Sequence, residues 1–307
     1  MKKLYIIGNG FDLYHELPTS YECFNRFMCR EHPEDHEWIG GIFNSTDTNK
    51  LWSKYEEELG KLDVSRFVTR FLPHWAILKE RYMFENELDS LYMYLVGYFH
   101  DWVEQIDMTC ANSKRLKLDR NAFFINFNYT ITLEKNKGLY QIPADHICYI
   151  HGDTGKNPFL KPIVGHGNNE YATLINEEDI RNKIESLHQW HNWAKTLDEF
   201  EKDLVDEILD LLARLKKEPA KHIEEHNSFF CKCTHSDEIY VLGHSLADVD
   251  LPYFEKIVCE SPNAKWYVCV VDDKEIKAKF DAISKIVESN KVEFITYDEL
   301  TMNNDIA

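Results

Sequence analysis

An α/β fold, with helices wrapped around an open parallel sheet, is what this sequence predicts, on three observations. Six short apolar runs rich in β-branched and aromatic residues end in Gly, Asn or Asp, as strands buried on both faces do. Three of those runs lead straight into glycine-bearing turns. Between the runs lie stretches whose apolar residues recur at three-to-four spacing, the pattern of core-facing helices.

The first strand is expected over Leu4 to Ile7, where the run breaks at the turn Gly8-Asn9-Gly10-Phe11-Asp12. A helical stretch follows from Leu51 to Val103, with Leu88, Leu91, Tyr92 and Leu95 in its stripe. The second strand, Ala122 to Phe127, runs into Asn128-Tyr129-Thr130, and the third, Ile147 to Ile150, ends at His151-Gly152-Asp153. A second helical stretch, Asp198 to Lys217, aligns Phe200, Leu204, Ile208, Leu211, Leu212 and Leu215 opposite a charged face, with Pro219 beyond its end. The fourth strand, Ile239 to Leu242, opens into Gly243-His244-Ser245-Leu246-Ala247-Asp248, and runs at Trp266 to Val271 and Val292 to Thr296 complete the sheet. The expected organisation is one Rossmann-like α/β domain over 1–307, interrupted by helical insertions at 35–118 and 172–227.

Composition narrows the function. Thirty-five Lys and Arg against 53 Asp and Glu give a formal charge of −18, which disfavours nucleic acid or an anionic membrane as partner. No apolar run approaches a membrane span or a signal-peptide core, so a cytoplasmic protein is expected. Eight scattered cysteines read as free thiols in a reducing compartment, and Cys231-Lys232-Cys233 lacks zinc-knuckle spacing. The acidic surface and helical stretches suit a homo-oligomer, and suit plain solvation better.

In an open parallel sheet, ligands gather where turns leave the C-terminal ends of the strands. Gly8 to Asp12 could bring backbone N–H groups to a phosphate, or could serve turn geometry alone; the third glycine of a dinucleotide fingerprint is missing, with Leu13 in its place. Asn128 is either a turn residue or a fixed amide dipole aimed at a ligand. His151 suits proton transfer near neutrality. Gly243, Ser245 and Asp248 could hold phosphate or ribose, or could simply start a helix. Asp12 would repel a pyrophosphate, so a helix cap or a ribose hydroxyl is the expected partner.

In order, GNGFDLYHELPTSY (Gly8 to Tyr21), NFNYTITLE (Asn126 to Glu134), IHGD (Ile150 to Asp153) and LGHSLADVD (Leu242 to Asp250) resemble the bacterial abortive-infection AbiH family, as does WSKYE at Trp52 to Glu56. That resemblance implies antiphage defence with a phage trigger the sequence does not reveal. More distantly, the same order is similar to the sirtuin superfamily: Gly8, Gly10 and Pro18, then Asn128, then His151, then Gly243, Ser245 and Leu246. The departures are Thr130 where deacylases carry an Asp that contacts nicotinamide, Glu16 where they carry glycine, and no zinc-binding cysteine quartet.

Together these resemblances imply a sirtuin-like sheet and an NAD glycohydrolase. NAD would be the substrate, no metal is expected, Asn128 would orient ribose or water, and His151 would act as general base. Gly8, Asn9, Gly10, Phe11, Asp12, Gly243, Ser245 and Asp248 would hold the nucleotide. Two rivals remain. One is a nucleotide sensor without turnover; the other is a metal-dependent phosphoesterase using His151, Asp153, His166, Asp248 and Asp250.

Overall fold

A computed structural model describes residues 1–42, 55–59, 66, 69, 96–135, 137–152, 164, 177–188 and 201–301. Six strands form one sheet: β1 (Lys3–Ile7), β2 (Phe123–Asn126), β3 (Ile147–Tyr149), β4 (Glu238–Leu242), β5 (Lys265–Val270) and β6 (Val292–Thr296). The order is β3-β2-β1-β4-β5-β6, and every pairing is parallel. Each strand lies within two residues of its expected bounds.

The chain divides into two compact units, one of 1–20, 103–163 and 218–307 holding the sheet, the other of 21–102 and 164–217. The expected insertions, 35–118 and 172–227, are bounded differently. Residues after 103 belong with the sheet because Leu116 bridges Thr301 and the Lys117 N–H bonds the Leu300 carbonyl. Residues after 217 belong there because Phe229 and Phe230 are buried against its strands.

Alternation along the strands builds the sheet's two cores. Leu4, Ile6, Ile125, Cys148, Ile239, Val241, Trp266 and Val268 fill one. Tyr5, Ile7, Phe124, Ile147, Leu242, Cys269 and Ile295 fill the other. The helices of this unit are α1 (Asn9–Tyr14), then, beyond the second unit's helices, α8 (Pro219–Glu225), α9 (Asn227–Lys232), α10 (Leu251–Glu260), α11 (Asp273–Ile283) and α12 (Tyr297–Leu300). Phe11 and Tyr297 bring α1 and α12 to the second core; Phe230, Tyr253, Phe254 and Ile283 bring α9, α10 and α11 to the first.

The second unit contains α2 (Tyr21–Glu31), α3 (Pro33–Ile42), α4 (Tyr55–Leu59), α5 (Tyr98–Glu104), α6 (Glu177–His188) and α7 (Glu201–Arg214). Phe24 is its aromatic centre, with Tyr55, Phe99 and Trp102 rings 5.3–5.4 Å away. The second helical stretch is a helix as expected, and Leu215 beyond its end is fully buried. Leu88, Leu91, Tyr92, Leu95 and Phe200 lie outside the described residues, as do the side chains of Leu204, Ile208 and Leu211. From the WSKYE segment, Tyr55 is fully buried and Glu56 pairs with Lys217 at 3.0 Å.

Across the middle of the sheet runs a ladder of stacked rings. Tyr5 lies 4.9 Å from Phe124 and 5.1 Å from Tyr240, which lies 4.8 Å from Tyr267. The strand register makes each pair direct cross-strand neighbours. Tyr5 also accepts the Asp119 N–H at its hydroxyl. Replacing Tyr5 by Ala is expected to cost about 3–5 kcal/mol of unfolding free energy, and Tyr5→Phe about 1 kcal/mol. The midpoints of denaturant titrations check both; an Ala variant as stable as Tyr5→Phe would remove the ladder from the stability of the sheet.

Candidate functional site

The strand register sets Ile7, Asn126, Tyr149 and Leu242 on one row. The next row is Gly8, Phe127, Ile150 and Gly243, tied by Gly8 N–H to Leu242 O, Phe127 N–H to Ile7 O and Ile150 N–H to Asn126 O. One residue further along stand Asn128, His151 and His244. The four motifs singled out in the sequence therefore leave the sheet at one edge, the C-terminal one.

At the centre of that edge the two glycine turns close on each other. A Cβ on Gly8 would lie 2.5 Å from the His244 Cα, one on Gly10 would lie 2.8 Å from the Gly243 Cα, and one on Gly243 would lie 2.1 Å from the Phe11 nitrogen. Gly243 also holds φ +70°, which side-chain-bearing residues rarely adopt. The Gly10 N–H donates to Gly243 O and the Phe11 N–H donates to Gly8 O. Three N–H groups expected to face a phosphate are thus spent within the protein, and the glycines are explained by backbone contact. Phe11 is buried in the core. Asn9 on the first turn and Ser245 on the second are exposed, and the Asn9 amide donates to Thr19 O at 2.9 Å.

Asp12 sits beneath this junction, fully buried. Thr130 donates to its Oδ2 at 2.5 Å, Thr132 donates to its Oδ1 at 2.7 Å, and the nearby Asn128 amide favours its charged form as well. Asn128 also donates to Gly8 O at 3.2 Å, so the turn after β2 is pinned to the turn after β1. Burial raises the Asp12 carboxyl to about 6 against the pull of these hydrogen bonds. Beside it, the neutral His15 ring has both nitrogens engaged: Nδ1 donates to Phe11 O at 2.7 Å, and Nε2 accepts from the Tyr140 hydroxyl at 2.6 Å. Tyr140 in turn accepts the Leu116 N–H, and burial lowers His15 to about 4.

On the other side of the edge, His151 and His244 flank Asp250, and all three are buried. His151 Nε2 is 3.8 Å from Asp250 Oδ1, and His244 Nε2 is 3.4 Å from Asp250 Oδ2. The Phe127 ring packs edge-on against both imidazoles, with centroids 5.5 and 4.4 Å away, and Tyr129 lies 6.1 Å from His151. The two imidazoles thus make two pairs that share one carboxylate.

Asp248, expected to contact the nucleotide, has a side chain that is 80% exposed and pairs with Lys285 at 2.6 Å. Asp250, two residues on in the same short 3-10 turn, points inward instead. The sequence reading put neither Asp250 nor His244 in the nucleotide site; the only signal was a histidine and an acid closing the same LGHSLADVD motif. Asp153 and His166 lie outside the described residues. All eight cysteines are free thiols, and no helix among the described residues is long and apolar enough to cross a membrane.

A parallel α/β sheet with a polar, imidazole-bearing C-terminal edge is the class of protein that fold and site define. The model of the family described as bacteriophage abortive infection AbiH matches residues 4–270, well over half of the chain, and the chain belongs to that family. No curated protein and no solved structure matches it.

Asp12 and His15 have opposite effects on stability. Between about pH 3.8 and 6 the native Asp12 keeps a proton that the unfolded chain releases, so this group lowers stability as pH rises through that window. Between about pH 4 and 6.5 the unfolded chain binds a proton that native His15 refuses, so this group raises stability over nearly the same window. Each is worth about 3 kcal/mol, and in the native protein they largely offset. Asp12→Asn leaves the His15 effect unopposed: between pH 4 and 6 its stability should rise by about 2 kcal/mol more than the wild type's. Denaturant titrations across that range read the difference. Parallel curves would mean that Asp12 is charged in the native state at pH 5.

Proposed function

We propose that the protein acts in phage defence as an NAD glycohydrolase, with the nucleotide bound across the edge formed by Gly8 to Asp12, Asn128, His151 and Gly243 to Ser245. The observation that carries this reading is the strand order, with β1 beside β2 on one side and β4 on the other. That is the Rossmann order, in which dinucleotides bind outside the strand ends where the order reverses. Here that point is the junction of the two glycine turns. The order of motifs resembling sirtuins selects NAD among dinucleotides. Glu16, standing where those enzymes carry glycine, holds a left-handed φ of 61° that glycine adopts freely. Thr130, standing where deacylases carry Asp, is buried against Asp12, which argues against deacylation.

Nicotinamide leaves neutral from a cationic ring, so the departing base needs no proton. The site must instead support an oxocarbenium-like ribose and deliver water to it. His151 takes the proton from that water. The Asn128 amide nitrogen donates to Gly8 O, leaving its Oδ1 to orient a ribose hydroxyl or the water. Asn9 and Ser245, exposed on the two turns, meet the phosphates or ribose. Asp248 has no part in this reading.

Purified protein incubated with NAD is expected to release nicotinamide without added metal, slowly at rest, and cellular NAD is expected to fall after phage entry. His151→Ala should lower the rate on the order of 10²–10⁴-fold and abolish protection while the protein still folds and melts cooperatively. NAD bound but intact would make the protein a sensor, and metal-dependent cleavage of a phosphate bond would make it a phosphoesterase. Protected cells whose NAD stays level through infection would overturn the glycohydrolase.

A further inference from the structure

Asp250 and His244 have no role in the proposed reaction, yet both are buried, and among the described residues Asp250 faces His151 on one side and His244 on the other. The Leu246 N–H donates to His244 Nδ1 at 2.9 Å, so that nitrogen is an acceptor and the neutral ring carries its proton on Nε2. Nε2 is the atom facing Asp250 Oδ2. Two backbone features hold this arrangement. Leu246 adopts φ 59°, a left-handed conformation disfavoured for a residue with a side chain, and the Gly8 turn lies against the His244 Cα with no room for a methyl group. Phe127 confines both imidazoles from the side.

We infer that His244 and Asp250 are positioning residues for His151: His244 donates through Nε2 to one oxygen of Asp250, and the other oxygen faces His151 Nε2 and keeps the proton there. The inference rests on His151 being the general base. With Nε2–H directed at Asp250, the lone pair that abstracts a proton is on Nδ1. At 3.8 Å the His151–Asp250 approach is longer than a hydrogen bond, and catalytic hydrogen bonds that are long in the free protein tighten when substrate fills the site. A carboxylate that selects one imidazole tautomer raises the fraction of protein competent for proton transfer without touching substrate. His244 fixes the carboxylate's rotation, because a carboxylate held at one oxygen presents the other in a single direction.

The test separates this inference from the NAD reading by reading the tautomer directly. Long-range proton–nitrogen NMR on full-length, nitrogen-15-labelled protein without ligand should show His151 and His244 as Nε2–H tautomers in the wild type. Asp250→Asn and His244→Leu should convert His151 to a mixture. His244→Gln, whose amide N–H reaches the same carboxylate, should restore the single form, and it keeps the test open if the Leu variant folds poorly. In nicotinamide-release assays, Asp250→Asn and His244→Leu should lower kcat on the order of 10²-fold with KM within about threefold, and His244→Gln should recover at least about tenfold of that loss. An Nδ1–H His151 in the wild type, or one unchanged in both Asp250→Asn and His244→Leu, overturns the inference. The expected tautomers in a protein that releases no nicotinamide would uphold the positioning pair and refute the glycohydrolase.

Discussion

The architecture depends on one close approach: two glycine turns from adjacent central strands meet backbone to backbone. Gly8 and Gly10 lie so near Gly243 and His244 that a single methyl group on any of the three glycines would strike main-chain atoms. Main-chain atoms cannot rotate out of the way as a flexible side chain can, so the three positions are constrained together. The N–H of Gly10 bonds the carbonyl of Gly243, which makes the junction a hydrogen-bonded continuation of the β1–β4 pairing past the end of the sheet. Everything polar at the edge is placed relative to that junction: Asn128 through Gly8, and His244 through its own backbone.

The turn after β2 joins two environments of opposite character. Toward α1 it reaches Asp12 through Asn128, Thr130 and Thr132, a fully buried network in which hydroxyls and an amide surround a carboxyl whose ionisation burial opposes. Toward β3 and β4 it presents Phe127, against which both histidines of the other cluster pack. The first environment holds the loop; the second holds titratable rings at the strand ends. Residues of the same short motif, NFNYTITLE, thus divide between support and chemistry.

Much of the sheet was legible because parallel strands buried on both faces leave continuous apolar runs that stop at polar or glycine turns, and the six runs coincide with the six strands. The meeting of the motifs at one edge was legible for the same reason, since each followed its own strand. The purpose of the glycines was not. A GxG turn has the same sequence whether its N–H groups face a phosphate or a neighbouring carbonyl, and here the neighbour lies more than two hundred residues away. The exchange of Asp248 for Asp250 has a local cause. In a 3-10 turn, residues two apart point about 240° apart around the axis, so one acid of the Asp-Val-Asp pair faces Lys285 while the other faces the histidines. Spacing alone does not say which.

The carboxylate between two imidazoles is the feature that most constrains chemistry at this edge. Burying a charge is costly unless it is paired and hydrogen-bonded, and Asp250 sits within reach of one imidazole at each oxygen. A purely structural carboxylate could have been met as Asp12 is, by threonine hydroxyls, which supply hydrogen bonds with no titratable group at all. The same edge therefore solves the burial of two acids in two ways. Where only support is needed it uses hydroxyls, and where His151 stands it uses a second histidine whose tautomer is set by the Leu246 N–H. On the reading proposed above, that contrast marks the His151 side as the place where a proton is moved.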